Sequence, residues 1–258
     1  ATSSKTEIIE LDEIEADEIS NLLMSSREKG KDITLAVLGE KIDKPRKYHF
    51  VPSLGDKEMI WVEPGQFEMG YFRSKEHSVT LTKGYYLAKH ELTEEEWKRI
   101  RIGSSRFDQT GNHPPATFST FRYTEGFLRR LNDTEKNAGR LKEGWEYTLP
   151  TEAEWVYAAT AGEGTNSNFI GRRDSLEANC YETHEEVPDK PMKVGEFKAN
   201  GWGFYDMYGN VWEWTADKYA PFTTRRKKDP TGSRFGGHVF RGGDWRVPVK
   251  DAILVRGI

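Results

Sequence analysis

Between Phe204 and Trp214 the chain reads FYDMYGNVWEW, and four oxygen donors fall at short spacing within it. Asp206 and Glu213 offer carboxylates, and the main-chain carbonyls of Gly209 and Val211 lie between them. Hard oxygens gathered on one turn suit a calcium ion. The competing structural roles are an Asp206 that caps a turn and a Glu213 that pairs with an arginine. Other metal chemistry is poorly served. The histidines, His49, His77, His90, His113, His184 and His238, are scattered, and no pair has the spacing of a helix-borne metal site. They read as surface or packing residues. Cys180 is the single cysteine, which excludes an internal disulfide, a cysteine-rich zinc site and a dithiol mechanism within one chain. It reads as a small buried hydrophobe.

Nucleophilic and phosphate chemistry find no support either. The chain has no G-x-S-x-G elbow. The glycine-rich GEGTNSNF (Gly162 to Phe169) lacks a phosphate-binding lysine and reads as loop. The short basic run RRKKDP (Arg225 to Pro230) reads as a solvated loop. A net charge of −4 gives no global pull toward nucleic acid. No stretch approaches the ~18 apolar residues of a membrane helix. Ala1 is not an initiator methionine, so the start is expected to be a processed or engineered end, which leaves room for a removed export signal.

The elements that must position these residues are short. Residues 1–46 are expected to form an extension. In it, Leu11 to Lys29 reads as an acidic amphipathic helix with Ile14, Ile19, Leu22 and Leu23 on one side, and Asp32 to Gly39 as a strand. Residues 47–258 then form the main domain. Met59 to Gly70 predicts a hairpin around a Pro-Gly turn, and His77 to Thr93 predicts two more strands. Thr93 with Glu96, and Thr151 with Glu154, have the spacing of capping boxes that start helices. A further helix is expected over Ser119 to Lys136, with Phe121, Phe127, Leu128 and Leu131 inward. In the third helix Trp155, Ala158 and Ala159 face the core. Eight Trp and eleven Tyr imply a core filled by bulky aromatics. The pattern is α+β, with short strands, few helices and long loops held by packing or by metal.

Several strings, in order, resemble the formylglycine-generating enzyme (sulfatase-modifying factor) family: MIWVEPGQFEMG, HSVTLTKGYYLAKHELTEEEW, YTLPTEAEWVYAAT, VGEFKANGWGFYDMYGNVWEWTADKY and FRGGDW. They span Met59 to Trp245. The resemblance implies a C-type-lectin-like fold and structural calcium at Asp206, Gly209, Val211 and Glu213. It also implies a second calcium site beginning at Asn179 and the Cys180 carbonyl, for which Glu186 is a poor substitute ligand because the loop is shorter. In the enzymes the stretch after the Arg-Gly-Gly-x-Trp turn carries a cysteine pair that holds copper. Here it reads RVPVKDAILVRGI, without cysteine. Soft thiolates are what select Cu(I), so no copper is expected. Family members run on for a few tens of residues and close with a Gly-Phe-Arg strand, so the resemblance implies a chain truncated at, or continuing past, Ile258.

Without the cysteines, the chain looks like the variable proteins of diversity-generating retroelements. In that group a domain of this type displays a variable patch that begins at the Arg-Gly-Gly-x-Trp turn. Family members usually have Ser where this chain has Asp244. The run after Trp245 follows neither a period of two nor of 3.6, as a selected surface would. Arg241, Gly242, Gly243 and Trp245 are expected to form a rigid mount. Asp244, Arg246, Val247, Pro248, Val249, Lys250 and Asp251 are expected to be exposed and to bind ligand. The bland alternative is an ordinary surface loop. The expected function is therefore non-catalytic binding of a protein or surface ligand by an exported, cell-surface protein. No nucleic acid is expected, and membrane contact only through an N-terminal lipid anchor. The alternatives are an enzyme of altered chemistry, such as an iron-dependent oxidase with a facial His/carboxylate set, and a degenerate structural domain.

Overall fold

The computed structural model of the chain describes residues 7–12, 33–38, 46–70, 76–100, 121–165, 191–246 and 256–257. Strands β1 (Glu7–Asp12), β2 (Ile33–Leu38), β3 (Arg46–Val51), β4 (Lys57–Val62) and β7 (Tyr85–Ala88) form one sheet in the order β1-β2-β3-β4-β7. All its pairings are antiparallel except that of β1 with β2. Strands β5 (Gly65–Met69), β6 (His77–Leu81) and β9 (Lys227–Lys228) form a second sheet, and β8 (Glu213–Lys218), β10 (His238–Arg241) and β11 (Arg256–Gly257) a third.

Successive side chains of a strand point to opposite faces, so one strand can serve two cores. β4 does this. Ile60 and Val62 join Phe67, Met69, Val79 and Leu81 against helix α3 (Glu152–Ala159). On the other side, Met59 packs against a second core, where Val51 and Leu54 meet Trp97 and Ile100 of helix α1 (Glu94–Ile100) and Phe127 and Leu131 of helix α2 (Phe121–Asn137). Both capping boxes form. The Glu96 N–H donates to Thr93 Oγ1 at 3.2 Å while the Thr93 N–H donates to Glu96 Oε2 at 2.6 Å. The Thr151/Glu154 pair repeats the arrangement at 3.2 and 2.7 Å. Each box satisfies two backbone donors that the first turn leaves open.

Three expectations change. Met59 to Gly70 contains two strands but no hairpin, because β4 pairs with β3 and β7 while β5 pairs with β6. Glu63 and Pro64 carry the chain from one sheet to the other. Gly65 then brings β5 so close to α3 that a Cβ there would lie 2.0 Å from the Tyr157 hydroxyl. Leu11 and Asp12, placed at the start of the N-terminal helix, are strand, since their backbone is paired with β2; residues 13–29 lie outside the described residues. The basic run is not wholly loop, because Lys227 and Lys228 pair in parallel with Val79 and Thr80 of β6.

Candidate functional site

The site is assembled where β8 and β10 pair. Arg241 lies opposite Glu213, and Phe240 opposite Trp214, so the Arg-Gly-Gly turn runs directly out of β10 beside the loop that enters β8. Two backbone bonds lock them: the Gly209 N–H donates to the Gly242 carbonyl at 2.6 Å, and the Trp245 N–H to the Asn210 carbonyl at 3.2 Å. Gly242 (φ 93°) and Gly243 (φ 86°) take up left-handed backbone that other residues reach only with strain. At Gly242 it is this backbone angle and not space that calls for glycine, since a Cβ would make an ordinary contact, 3.4 Å from the Val211 carbonyl oxygen.

The mount is buried from Arg241 to Trp245. The Arg241 side chain is 2% exposed and donates through Nη2 to Glu152 Oε1 at 2.5 Å. Glu152 is the first residue of α3, and its N–H donates to Asp217 Oδ2 of β8 at 2.6 Å. The turn is thereby tied to a helix start and to a neighbouring strand. This bears out the mount expected of Arg241, Gly242, Gly243 and Trp245.

The expected exposure of Asp244 is corrected. It is 3% exposed, and its carboxylate accepts from the Arg246 N–H at 2.9 Å, from Nε at 3.1 Å and from Nη2 at 2.5 Å. A carboxylate so satisfied can be buried without leaving an unpaired charge. Arg246 itself is 60% exposed at its side chain, as expected, and its guanidinium lies over the Trp245 ring at 4.6 Å. The chain thus leaves the mount through an arginine clamped by the two residues before it. Val247, Pro248, Val249, Lys250 and Asp251 lie outside the described residues.

The four oxygen donors of the Phe204–Trp214 loop meet a strained backbone. Asp206 (φ 56°), Gly209 (φ 90°) and Asn210 (φ 60°) all adopt left-handed conformations, which Asp, Asn and Gly tolerate best. Asp206 is buried; its Oδ2 accepts from the Gly195 N–H at 2.7 Å, while Oδ1 has no hydrogen-bond partner among the described residues. The Val211 carbonyl oxygen and Glu213 Oε1 both face the Cβ position of Gly242, at 3.4 and 3.9 Å. Burial raises the Asp206 carboxyl to about 6. Burial, with the Asp206 charge adding to it, raises Glu213 to about 7. An orphaned buried carboxylate oxygen beside a second carboxylate is a donor set that a hard cation fits. Both groups hold protons more tightly folded than unfolded. Without a cation, their contribution to stability is therefore full below the ordinary carboxylate range and is lost as pH rises through about 6 and about 7.

Sequence reasoning missed the residues beneath this loop. Glu91 is buried; its Oε1 accepts from the Val211 N–H at 3.1 Å and its Oε2 from Asn210 Nδ2 at 2.8 Å. Burial, then the Asp206 and Glu213 charges, push its carboxyl well above the usual range. Lys57 Nζ, also buried, donates to the Glu91 carbonyl at 2.6 Å and to Glu96 Oε2 at 3.1 Å. No local pattern announces these contacts, which join residues more than thirty positions apart. The described histidines do not converge. His49 stands 3.0 Å from the Tyr147 hydroxyl, His90 3.0 Å from Lys57 Nζ, and His238 stacks on Phe121. Among the described residues no three carboxylate, imidazole or thiolate groups converge to hold a metal ion. Asn179, Cys180 and Glu186, with His113 and His184, lie outside the described residues.

Residues 51–254 match the family described as the sulfatase-modifying factor enzyme 1-like domain. The chain belongs to this family. Members of it include formylglycine-generating enzymes, and that of Mycobacterium tuberculosis is 39% identical over 84 residues, 28% of each chain. The chaperone protein LppX of Paenibacillus barcinonensis is 25% identical over 240 residues, covering 76% of this chain and 81% of its own. The chain spans 33% of the length of the serine/threonine-protein kinase pkn1 of Chlamydia pneumoniae, to which it is 25% identical. Among solved structures, Treponema denticola variable protein 1 superposes with a TM-score of 0.65 at 22% identity, over 83% of this chain and 93% of that one. PvdO from Pseudomonas aeruginosa gives 0.59 at 22%, over 78% and 89%. The family member described here therefore has the α+β, C-type-lectin-like fold expected of it, and its likeness extends to variable proteins as well as to enzymes.

Proposed function

We propose that this family member is a non-catalytic ligand-binding protein whose binding face is the segment that leaves the Arg241–Trp245 mount. The observation that carries the reading is the exit itself. A buried turn, pinned to α3 and β8, presents an exposed Arg246 held in one orientation by Asp244 and Trp245. Pre-ordering a contact side chain lowers the entropy lost on binding. The likeness to Treponema denticola variable protein 1 supports a display role for this fold. Copper oxidase chemistry is disfavoured because the residues from Arg246 to Ile258 contain no thiolate, and Cys180 stands alone elsewhere. Asp244 serves here as a positioning residue, while Arg246 and the side chains of residues 247–251 make the contacts. We further propose that calcium binds Asp206, the Gly209 and Val211 carbonyls and Glu213, bracing the loop against the turn, and that the protein works outside the cell.

The test is a screen of immobilised proteins and glycans with the wild-type chain and with the combined variant Val247→Ser, Val249→Ser, Lys250→Ser, which keeps the Arg246–Asp244 contact. Specific binding lost by the variant at an unchanged melting temperature is the expected result. Specific binders that the variant retains in full would refute the assignment. A near-copy of the coding segment from Gly243 onward in neighbouring DNA, beside a reverse transcriptase, would support it independently.

A further inference from the structure

The chain is acidic overall, yet one surface is not. From Lys218 to Gly237 there are six cations, Lys218, Arg225, Arg226, Lys227, Lys228 and Arg234, against the single acid Asp229. That is a surplus of five positive charges in a chain whose net charge is −4. Backbone bonds fold the segment into one lobe. The Tyr219 N–H donates to the Gly237 carbonyl and the Ser233 N–H to the Lys218 carbonyl, both at 2.9 Å, and the Asp229 N–H reaches the Thr80 carbonyl at 2.9 Å. Asp229 is occupied within the fold, where its carboxylate accepts from the Thr82 N–H at 2.8 Å and from the Thr82 hydroxyl at 2.7 Å. Arg225, Arg226, Lys228 and Arg234 are exposed. The lobe also carries two exposed aromatic side chains, Phe235 at 83% exposure and Tyr219 at 45%. Phe235 stands between Arg234 and the pair Gly236–Gly237, with Gly236 at φ 108° turning the chain back at the tip.

We infer that this lobe docks on an anionic lipid bilayer, with the Phe235 ring entering the interfacial region and the surrounding arginines and lysines contacting the headgroups. Basic residues around a protruding aromatic suit the bilayer interface, where rings sit at headgroup level and each cation adds electrostatic attraction. The charge distribution favours a planar partner over an extended one. A flat surface meets only the protruding tip. A long flexible polyanion would run on from the lobe over a remainder of the chain that holds the excess of negative charge. Among the described residues Phe235 belongs to neither core, so its exposure is not explained by packing there.

The experiment is co-sedimentation of the whole chain with phosphatidylcholine vesicles, and with vesicles of equimolar phosphatidylcholine and phosphatidylglycerol, at low and high salt. Binding is expected to the anionic vesicles only, and to weaken with salt. Arg225→Gln with Arg226→Gln should weaken it by roughly fivefold per cation removed. Phe235→Ser should weaken it severalfold and Phe235→Leu should retain most of it, all at an unchanged melting temperature. Failure to bind anionic vesicles, equal binding to neutral ones, or lobe variants that bind like wild type would each overturn the inference. Dextran sulfate bound as tightly as the vesicles, with Phe235→Ser neutral, would make the lobe a polyelectrolyte site and refute the lipid assignment.

Discussion

Removing the Glu152 carboxylate should unseat the Arg-Gly-Gly turn from below. Arg241 Nη2 lies 2.5 Å from Glu152 Oε1, and the two side chains are 2% and 10% exposed. Breaking a buried pair by deleting one partner leaves an uncompensated charge and costs about 3–5 kcal/mol. For a domain of this size each kcal/mol shifts the melting temperature by roughly 2–4 °C, so Glu152→Ala should lower it by at least about 6 °C. Asp217 offers little rescue, because its Oδ2 already accepts from the Glu152 N–H, a bond the substitution leaves in place. The paired replacement Glu152→Leu with Arg241→Met removes both charges and keeps the volume. It should therefore recover most of the loss, and with the single variants Glu152→Leu and Arg241→Met it closes a double-mutant cycle whose coupling should be at least about 2 kcal/mol by urea and thermal unfolding. A cost under about 1 kcal/mol for Glu152→Ala, or a double variant no more stable than the single, would refute the view that this ion pair seats the turn.

Chelator should lower the melting temperature and Glu213→Ala should abolish that sensitivity; a curve indifferent to chelator and to added calcium in both proteins counts against the cation site. In chelator, stability should fall as pH rises through about 6 to about 7, where Asp206 and Glu213 lose their protons, and calcium should restore more of it at the upper end. The purified protein should form no formylglycine in a sulfatase-type cysteine peptide with copper present, and measurable copper-dependent product would overturn the non-catalytic reading. Trp245→Ala should destabilise the domain by about 3–5 kcal/mol as a buried aromatic truncation, and Arg246→Ala, which takes both guanidinium donors from the buried Asp244 carboxylate, should cost about 1–3 kcal/mol.

What could be read from the sequence was what local chemistry decides. Thr93 with Glu96 and Thr151 with Glu154 form their boxes because every partner lies within one helical turn. Gly242 and Gly243 mark left-handed backbone because few other residues accept it. What escaped was set by distant partners. The strands on either side of Glu63 and Pro64 look like a hairpin, but β4 is claimed by β3 and β7 and β5 by β6, and those pairings outweigh adjacency. Glu91 reads as a polar residue before a helix cap, yet it is buried under Asn210 and Val211, more than a hundred positions on. Asp244 failed for a subtler reason. Its partner is only two residues away, but a charged side chain in a turn reads as exposed unless the arginine is known to fold back over Trp245.

The loop and the turn are bonded into one unit, which bears on how the proposed binding surface could change without loss of the fold. Glu91 holds Asn210 and Val211 from beneath, Gly209 and Asn210 hold Gly242 and Trp245 through the backbone, and Glu152 holds Arg241 from the side. None of these contacts uses a side chain beyond Arg246. Substitutions past that point therefore leave the bonds that fix the turn untouched, and their energetic effect is confined to the contacts they make themselves. The same construction explains why Asp244 is inside. A carboxylate that fixes its neighbour's guanidinium in place does more for a pre-ordered face than one more charge in solvent, because the arginine then has fewer rotamers to lose when a ligand arrives.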